Sequence, residues 1–114
     1  MTNTMRIQVL GVFASGSVAP LPAPIGLTVE RQPITIGRSP RGTPALVILA
    51  SSVSKEHARV ELGDQGWTLT DLYSDNGIYS YPGLQRVQSL TIREETQVLI
   101  GEFVVLLRPS VSDG

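Results

Sequence analysis

Three short polar stretches carry the residue types from which a binding site could be built. The first is Gly37-Arg38, which opens a loop rich in proline and glycine. The second is Ser51-Ser52-Val53-Ser54-Lys55-Glu56-His57, and the third is Asp71-Leu72-Tyr73-Ser74-Asp75-Asn76-Gly77. Arg38 is suited to paired, charge-assisted hydrogen bonds with the oxygens of an anion. Ser54 offers a hydroxyl and a backbone N–H, two donors that suit a dianion, and Lys55 adds positive charge beside it. Asn76 presents an amide donor and acceptor together, the pair needed to hold a peptide main chain. Gly37 permits a close backbone approach or a positive φ. Each residue also has a plainer reading: Arg38 as a solvated surface arginine, the serines as turn formers, and Asn76-Gly77 as a tight turn.

Ser54, His57 and an aspartate suggest a different chemistry, that of a hydrolase. A Ser–His pair at this spacing, on a loop and a strand start, has neither a nucleophile elbow nor an oxyanion hole, and the expectation is a protein that is not an enzyme. The chain has no cysteine, which excludes disulfides, thiolate nucleophiles and Cys-ligated metal. His57 is the single histidine, too little for a His-based metal cluster. The net charge is −1, so any anion site must be local. No basic stripe or aromatic platform points to nucleic acid. No apolar run approaches the ~20 residues that a membrane span needs. The stretch from Arg6 to Ala14 loosely resembles a signal peptide, but Gln8 and Gly11 interrupt it and its alternation fits a first strand better.

The elements that must position these residues read as strands. A chain of 114 residues, 41% hydrophobic and 17% charged, suits one globular domain with its own core. No stretch carries a helical repeat of useful length. Alternation marks strands over 6–13, 57–62 and 67–72, and further strands read over 78–81, 97–100 and 103–107. Ala58, Val60 and Leu62 then share an inward face, as do Trp67, Leu69 and Asp71. The apolar run from Ala45 to Leu49 has strand length, 26–38 reads as two short strands or one bent one, and 84–92 holds further short strands with Val87, Leu90 and Ile92 in the core. Pro20, Pro22 and Pro24 rule out a helix or a central strand over 14–25, which reads as an extended connection along an edge. The ends, 1–5 and 109–114, read as flexible tails. About ten short strands with turn signals every eight to twelve residues or so predict an all-β sandwich. Loops in a sandwich gather at its two ends, but chain order alone does not bring these three polar loops to the same one.

In this order and spacing, Gly37-Arg38, Ser54-x-x-His57 and Ser74-x-Asn76-Gly77 resemble the signature of the forkhead-associated (FHA) domain. The flanks agree: an Ile-rich strand before Gly37, an apolar run before Ser54, Ala58 after His57, Asp71-Leu72 before Ser74, and Ile100-Gly101 in the penultimate strand. The similarity covers 27–107. It implies a single domain over 1–114, with its core at about 27–108. It also implies two twisted, mainly antiparallel sheets of about eleven short strands, with functional loops at one end. The function implied is phosphothreonine-dependent binding of a Thr-phosphorylated protein or peptide in Ser/Thr kinase signalling. The implied location is cytoplasmic, and neither cofactor, metal, nucleic acid nor membrane insertion is expected.

Carried onto this chain, the resemblance makes Arg38, Ser54 and Lys55 the phosphate contacts and gives Asn76 the main chain of the residue after the phosphothreonine. Gly37, His57 and Gly77 shape the site, His57 by tying the loops together. Arg41, Ser52, Ser74 and Asp75 are possible modulators, and Tyr73, Tyr79 and Arg41 are candidates for peptide selectivity. The chain departs from the family where Asp75 replaces the usual threonine, small polar or basic residue. A carboxylate beside a dianion repels it unless turned away or paired. Glu56 is a second acid nearby, with Arg41 and Lys55 as candidates to offset both. Ser80-Tyr81-Pro82-Gly83 stands where the family often has a second Asn-Gly. An alternative function follows: an FHA-fold interaction or structural module that has lost phosphate recognition and binds partners without it.

Overall fold

The period-two alternation resolves into eleven strands in a computed structural model that describes residues 2–42 and 44–112. In chain order they are β1 (Thr2–Ala14), β2 (Ser17–Glu30), β3 (Ile34–Gly37), β4 (Ala45–Val47), β5 (Ala58–Gly63), β6 (Gly66–Asp71), β7 (Ile78–Ser80), β8 (Arg86–Val87), β9 (Ser89–Ile92), β10 (Thr96–Ile100) and β11 (Phe103–Ser112). Two sheets form, one ordered β2-β1-β11-β10-β7-β8 and the other β4-β3-β5-β6-β9. The ladders are antiparallel except for β3 with β4. Ile7, Ile100 and Val105 from the first sheet meet Ile36, Val60 and Leu69 from the second in one hydrophobic cluster. This is the all-β sandwich expected.

Local sequence accounts for most of the strands. In β6 the pattern buries Trp67, Leu69 and Asp71 on one face and leaves the residues between them half-exposed, as expected. In β5, Ala58 and Val60 are fully buried while Leu62, near the hairpin, is half-buried. Ile92 is buried, and Val87 and Leu90 pack against the core while half-covered. Of the apolar run only Ala45–Val47 is strand, at the sheet edge, and burial alternates along the run: Leu46 and Ile48 are buried while Val47 is 44% and Leu49 84% exposed.

Two expectations need correction. The stretch over 14–25 is not a connection: Ser17 onward is strand β2, paired with β1 from Ser17↔Ala14 to Glu30↔Thr4. The prolines are tolerated because β2 is an edge strand and because the register jumps between Val9 and Gly11, where Val9 faces Ile25 and Gly11 faces Pro20. The expected tails also carry structure. Thr2–Met5 pairs with Pro109–Ser112, and Met5 is fully buried. Polar residues at these strand ends hid the pairing. Met1, Asp113 and Gly114 lie outside the described residues.

The registers bring the three polar loops to one end. Ile36 faces Ala58, and Ala58 faces Asp71, so the exit of β3, the entry of β5 and the exit of β6 are side by side.

Candidate functional site

Gly37 is buried at the exit of β3, and a Cβ there would fall on the Lys55 carbonyl oxygen, 2.8 Å from the Lys55 carbonyl carbon and 3.1 Å from the Glu56 Cα. Only glycine lets the two backbones come this close. They zip together as a result: the Arg38 N–H donates to the Ser54 carbonyl at 2.9 Å, and the Ser39 N–H to the Lys55 carbonyl at 3.1 Å. The Arg38 side chain is anchored as well, its Nε donating to the Val53 carbonyl at 3.2 Å. Arg38 is exposed, and that bond engages the inner edge of its guanidinium and leaves the terminal nitrogens, the two-pronged end that matches an oxyanion, without a side-chain partner among the described residues.

His57 joins all three loops. Its ring is fully buried, with Nδ1 accepting the Ser54 N–H at 3.0 Å and Nε2 at 2.8 Å from the Gly77 carbonyl. An N–H pointing at Nδ1 requires that nitrogen to be bare, so the hydrogen is on Nε2 and donates to Gly77. The backbone of His57 adds two bonds, its N–H to the Ile36 carbonyl at 2.9 Å and its carbonyl from the Leu72 N–H at 3.0 Å. With both ring nitrogens engaged, neither is open to take a proton from the Ser54 hydroxyl.

The bond to His57 corrects the inventory at Ser54. Its backbone N–H is committed inward and is not available to an anion. Its Oγ accepts the Asp75 N–H at 3.0 Å, which leaves the hydroxyl hydrogen free to donate outward. Lys55 is exposed, and the ion pairs formed among the described residues do not include it.

The third loop is held by its own side chains. The Asp71 Oδ1 accepts the Ser74 N–H at 3.1 Å, and the Ser74 Oγ accepts the Gly77 N–H at 2.9 Å. Asp71 and Ser74 are both buried, so Ser74 builds the turn and does not face a ligand. Gly77 closes the turn with φ of 77°. The i to i+3 spacing of Asp71, Ser74 and Gly77 was the signal for these nested turns. Asn76 is exposed, but its Nδ2 donates to the Ser52 carbonyl at 2.8 Å. Its carbonyl oxygen and one amide hydrogen remain for a ligand. Ser52 contributes only that backbone oxygen. Its hydroxyl is buried without a hydrogen-bond partner among the described residues, against Gly101, where a Cβ would come within 2.8 Å of it.

Asp75 is exposed, and among the described residues no cation pairs with it. Arg41 pairs with Glu56 at 3.6 Å, with the side chains 94% and 43% exposed, a surface contact of little energetic weight. Arg41 therefore answers Glu56 and not Asp75. Beside Arg38 lies an open hollow of about 440 Å³ lined by Arg38, Leu49, Ala50 and Ser51. Tyr73 stands 94% exposed with φ of 57°. The reading from residue types missed Leu49, taken as part of an apolar strand, and Arg86, whose guanidinium lies against Gly77.

A family model for the FHA domain matches residues 34–101, well over half of the chain, and the chain belongs to that family. The fold is similar to that of the FHA-1 domain of Mycobacterium tuberculosis Rv1747, with a TM-score of 0.72 and 17% identity over 97% of this chain and 100% of that one. A domain solved in a study of phosphothreonine-dependent FHA domain interactions gives 0.67 and 19%, over 92% of this chain and 95% of that one. Mycobacterium tuberculosis EmbR, solved in complex with a low-affinity phosphopeptide, gives 0.65 and 19%, over 96% of this chain and 26% of that one. At these identities the likeness is one of fold. No curated protein matches the sequence.

Proposed function

We propose that the chain is a phosphothreonine-dependent protein–protein interaction module, not an enzyme, and that it binds a Thr-phosphorylated protein or peptide across the loops at 38–42, 51–57 and 73–77. The observation that carries this reading is the outward set of donors left after the loops have satisfied one another. They are the terminal nitrogens of Arg38, the hydroxyl hydrogen of Ser54 and the ammonium of Lys55, on backbones held by a buried His57. Donors fixed before the ligand arrives lose little entropy on binding. Arg38 supplies the paired contact, Ser54 and Lys55 the others, and the unused amide hydrogen and oxygen of Asn76 hold the peptide main chain. The family, the similar domain from a study of phosphothreonine-dependent FHA domain interactions, and EmbR in its phosphopeptide complex support the same reading.

Titration with phosphothreonine peptides, their unphosphorylated forms and their phosphoserine forms tests it. At least one phosphothreonine peptide should bind well above both counterparts. Arg38→Ala should cost that complex about 1.5–3 kcal/mol, the range for hydrogen bonds to charged groups, without unfolding the protein. Equal binding with and without phosphate overturns the proposal. A second reading, partner binding on the same loops without phosphate, is favoured by the unpaired carboxylate of Asp75, and equal binding is the result it predicts.

A further inference from the structure

Arg86 is placed where a guanidinium has no internal use. It sits in β8, at the edge of the first sheet and opposite Tyr79. The face is the outer one, since the paired neighbours Ile78 and Val87 turn toward the core. Its side chain returns toward the loops and lies on Gly77: a Cβ at that glycine would come within 2.8 Å of the Arg86 Nε, 3.0 Å of its Cζ and 3.2 Å of one terminal nitrogen. The missing side chain of Gly77 is thus the seat of the guanidinium, one residue from Asn76. The support beneath is stiff, because the Gly77 carbonyl is bonded by the buried His57 and its N–H by Ser74. The β7–β8 connection is pinned too, through Ser80 N–H to Gln85 O at 2.8 Å and Gln85 N–H to Ser80 Oγ at 3.1 Å.

Among the described residues no carboxylate pairs with this charge. Arg86 is exposed, and it takes part in none of the side-chain hydrogen bonds or ion pairs formed among the described residues, whereas Arg41, Arg59 and Arg108 each have a glutamate. A planar cation held flat against backbone, with its donors unused, is a ready site for a carboxylate or a second phosphate.

We infer that Arg86 sets sequence preference, by pairing with an anionic side chain of the bound peptide that flanks the phosphothreonine on the Asn76 side of the site. The inference rests on the phosphopeptide reading above and adds a second anion contact to it. The two sources of the anion are an aspartate or glutamate, and a second phosphorylated residue.

The test begins with a phosphothreonine peptide whose binding depends on Arg38. Each flanking position is changed in turn to Asn, Asp and phosphoserine, and affinities are measured by fluorescence anisotropy. One position should favour Asp over Asn by about three- to fivefold, the scale of a partly exposed ion pair. Phosphoserine there should do as well or better if a second phosphate is the natural group, and worse if a carboxylate is. Arg86→Gln should erase this preference and leave the acid-free phosphopeptide within about twofold of wild type, since Arg86 is outside the phosphate grip. Arg86→Glu should turn the preference toward Lys at the same position. If wild type shows no such preference, or if Arg86→Gln weakens every phosphopeptide equally, this inference is overturned and the phosphate reading stands. If no phosphothreonine peptide binds above its plain counterpart, the phosphate reading is overturned and this inference falls with it.

Discussion

Asp75 acts in two opposed ways. Its N–H fixes the Ser54 hydroxyl oxygen, and this part any residue but proline could supply. Its carboxylate is exposed and unpaired among the described residues, beside loops expected to receive a dianion. Two negative charges on a phosphate roughly 6 Å away cost about 1.4 kcal/mol at a water-like dielectric, and about 1 kcal/mol or less once salt screens them. Asp75→Thr keeps the backbone bond and removes the repulsion. Phosphopeptide affinity should rise about fivefold, more at low salt than at high, because exposed charges are screened. A calorimetric titration of both proteins at two salt concentrations measures this; a fall in affinity would mean that the carboxylate contacts the peptide. The sequence offered the residue types of this site but not their hydrogen-bond commitments. The Ser54 N–H and the Asn76 Nδ2 both counted as donors to a ligand, yet the first is spent on the His57 ring and one hydrogen of the second on the Ser52 carbonyl. A donor's partner is a fact of three dimensions.

His57 makes the three loops behave as one element. Its ring bonds link the 51–57 loop to the 73–77 loop, and its main chain links β3 to the end of β6. His57→Ala would leave a buried N–H and a buried carbonyl without partners, at about 1–3 kcal/mol each, and would add a void. We expect stability to fall by about 3–5 kcal/mol, a large part of what a domain of this size holds. Phosphopeptide binding should weaken as well, although the buried ring is out of a ligand's reach, because Ser54 and Gly77 lose their tie. Urea unfolding gives the first value, and titration under conditions where the variant is folded gives the second; unchanged binding by the folded variant would show that the loops hold their shape without the histidine. Alternation made β5 and β6 legible in the sequence. It failed for the first half of β2, over 17–24, where three prolines remove backbone donors and burial has no period; from Ile25 to Glu30 the alternation returns. The hairpin before β2 has its sequence signal in Ser15-Gly16, whose φ of 52° and 81° carry the signs that a type I′ turn requires.

Across the whole molecule the two ends have different tasks. The loops 38–42, 51–57 and 73–77 gather at one. The opposite end holds the β5–β6 hairpin at 63–66, with Asn3, Arg31 and Ser110 around it. The first strand ties that far end together, since Thr4 and Met5 pair with Glu30 and Val29 on one side and with Ser110 and Pro109 on the other. Polar sequence at a terminus invites the expectation of fraying, yet Met5 is fully buried and its strand lies between two neighbours. Burial of one methionine is worth about 2–5 kcal/mol against alanine, and removing the strand end also strips ladder bonds from β2 and β11. Deleting residues 1–5 should therefore destabilise the protein at least as much as Met5→Ala does. Phosphopeptide affinity should stay within about twofold where the shortened chain is folded, because effects at separated sites without shared partners add independently. Urea unfolding of the full chain, Met5→Ala and the shortened chain, with peptide titrations below the unfolding transition, distinguishes the outcomes. Unaltered stability would show that Thr2–Met5 contributes nothing to the sheet in solution. Reduced affinity in the fully folded shortened protein would show that the far end is coupled to the loops.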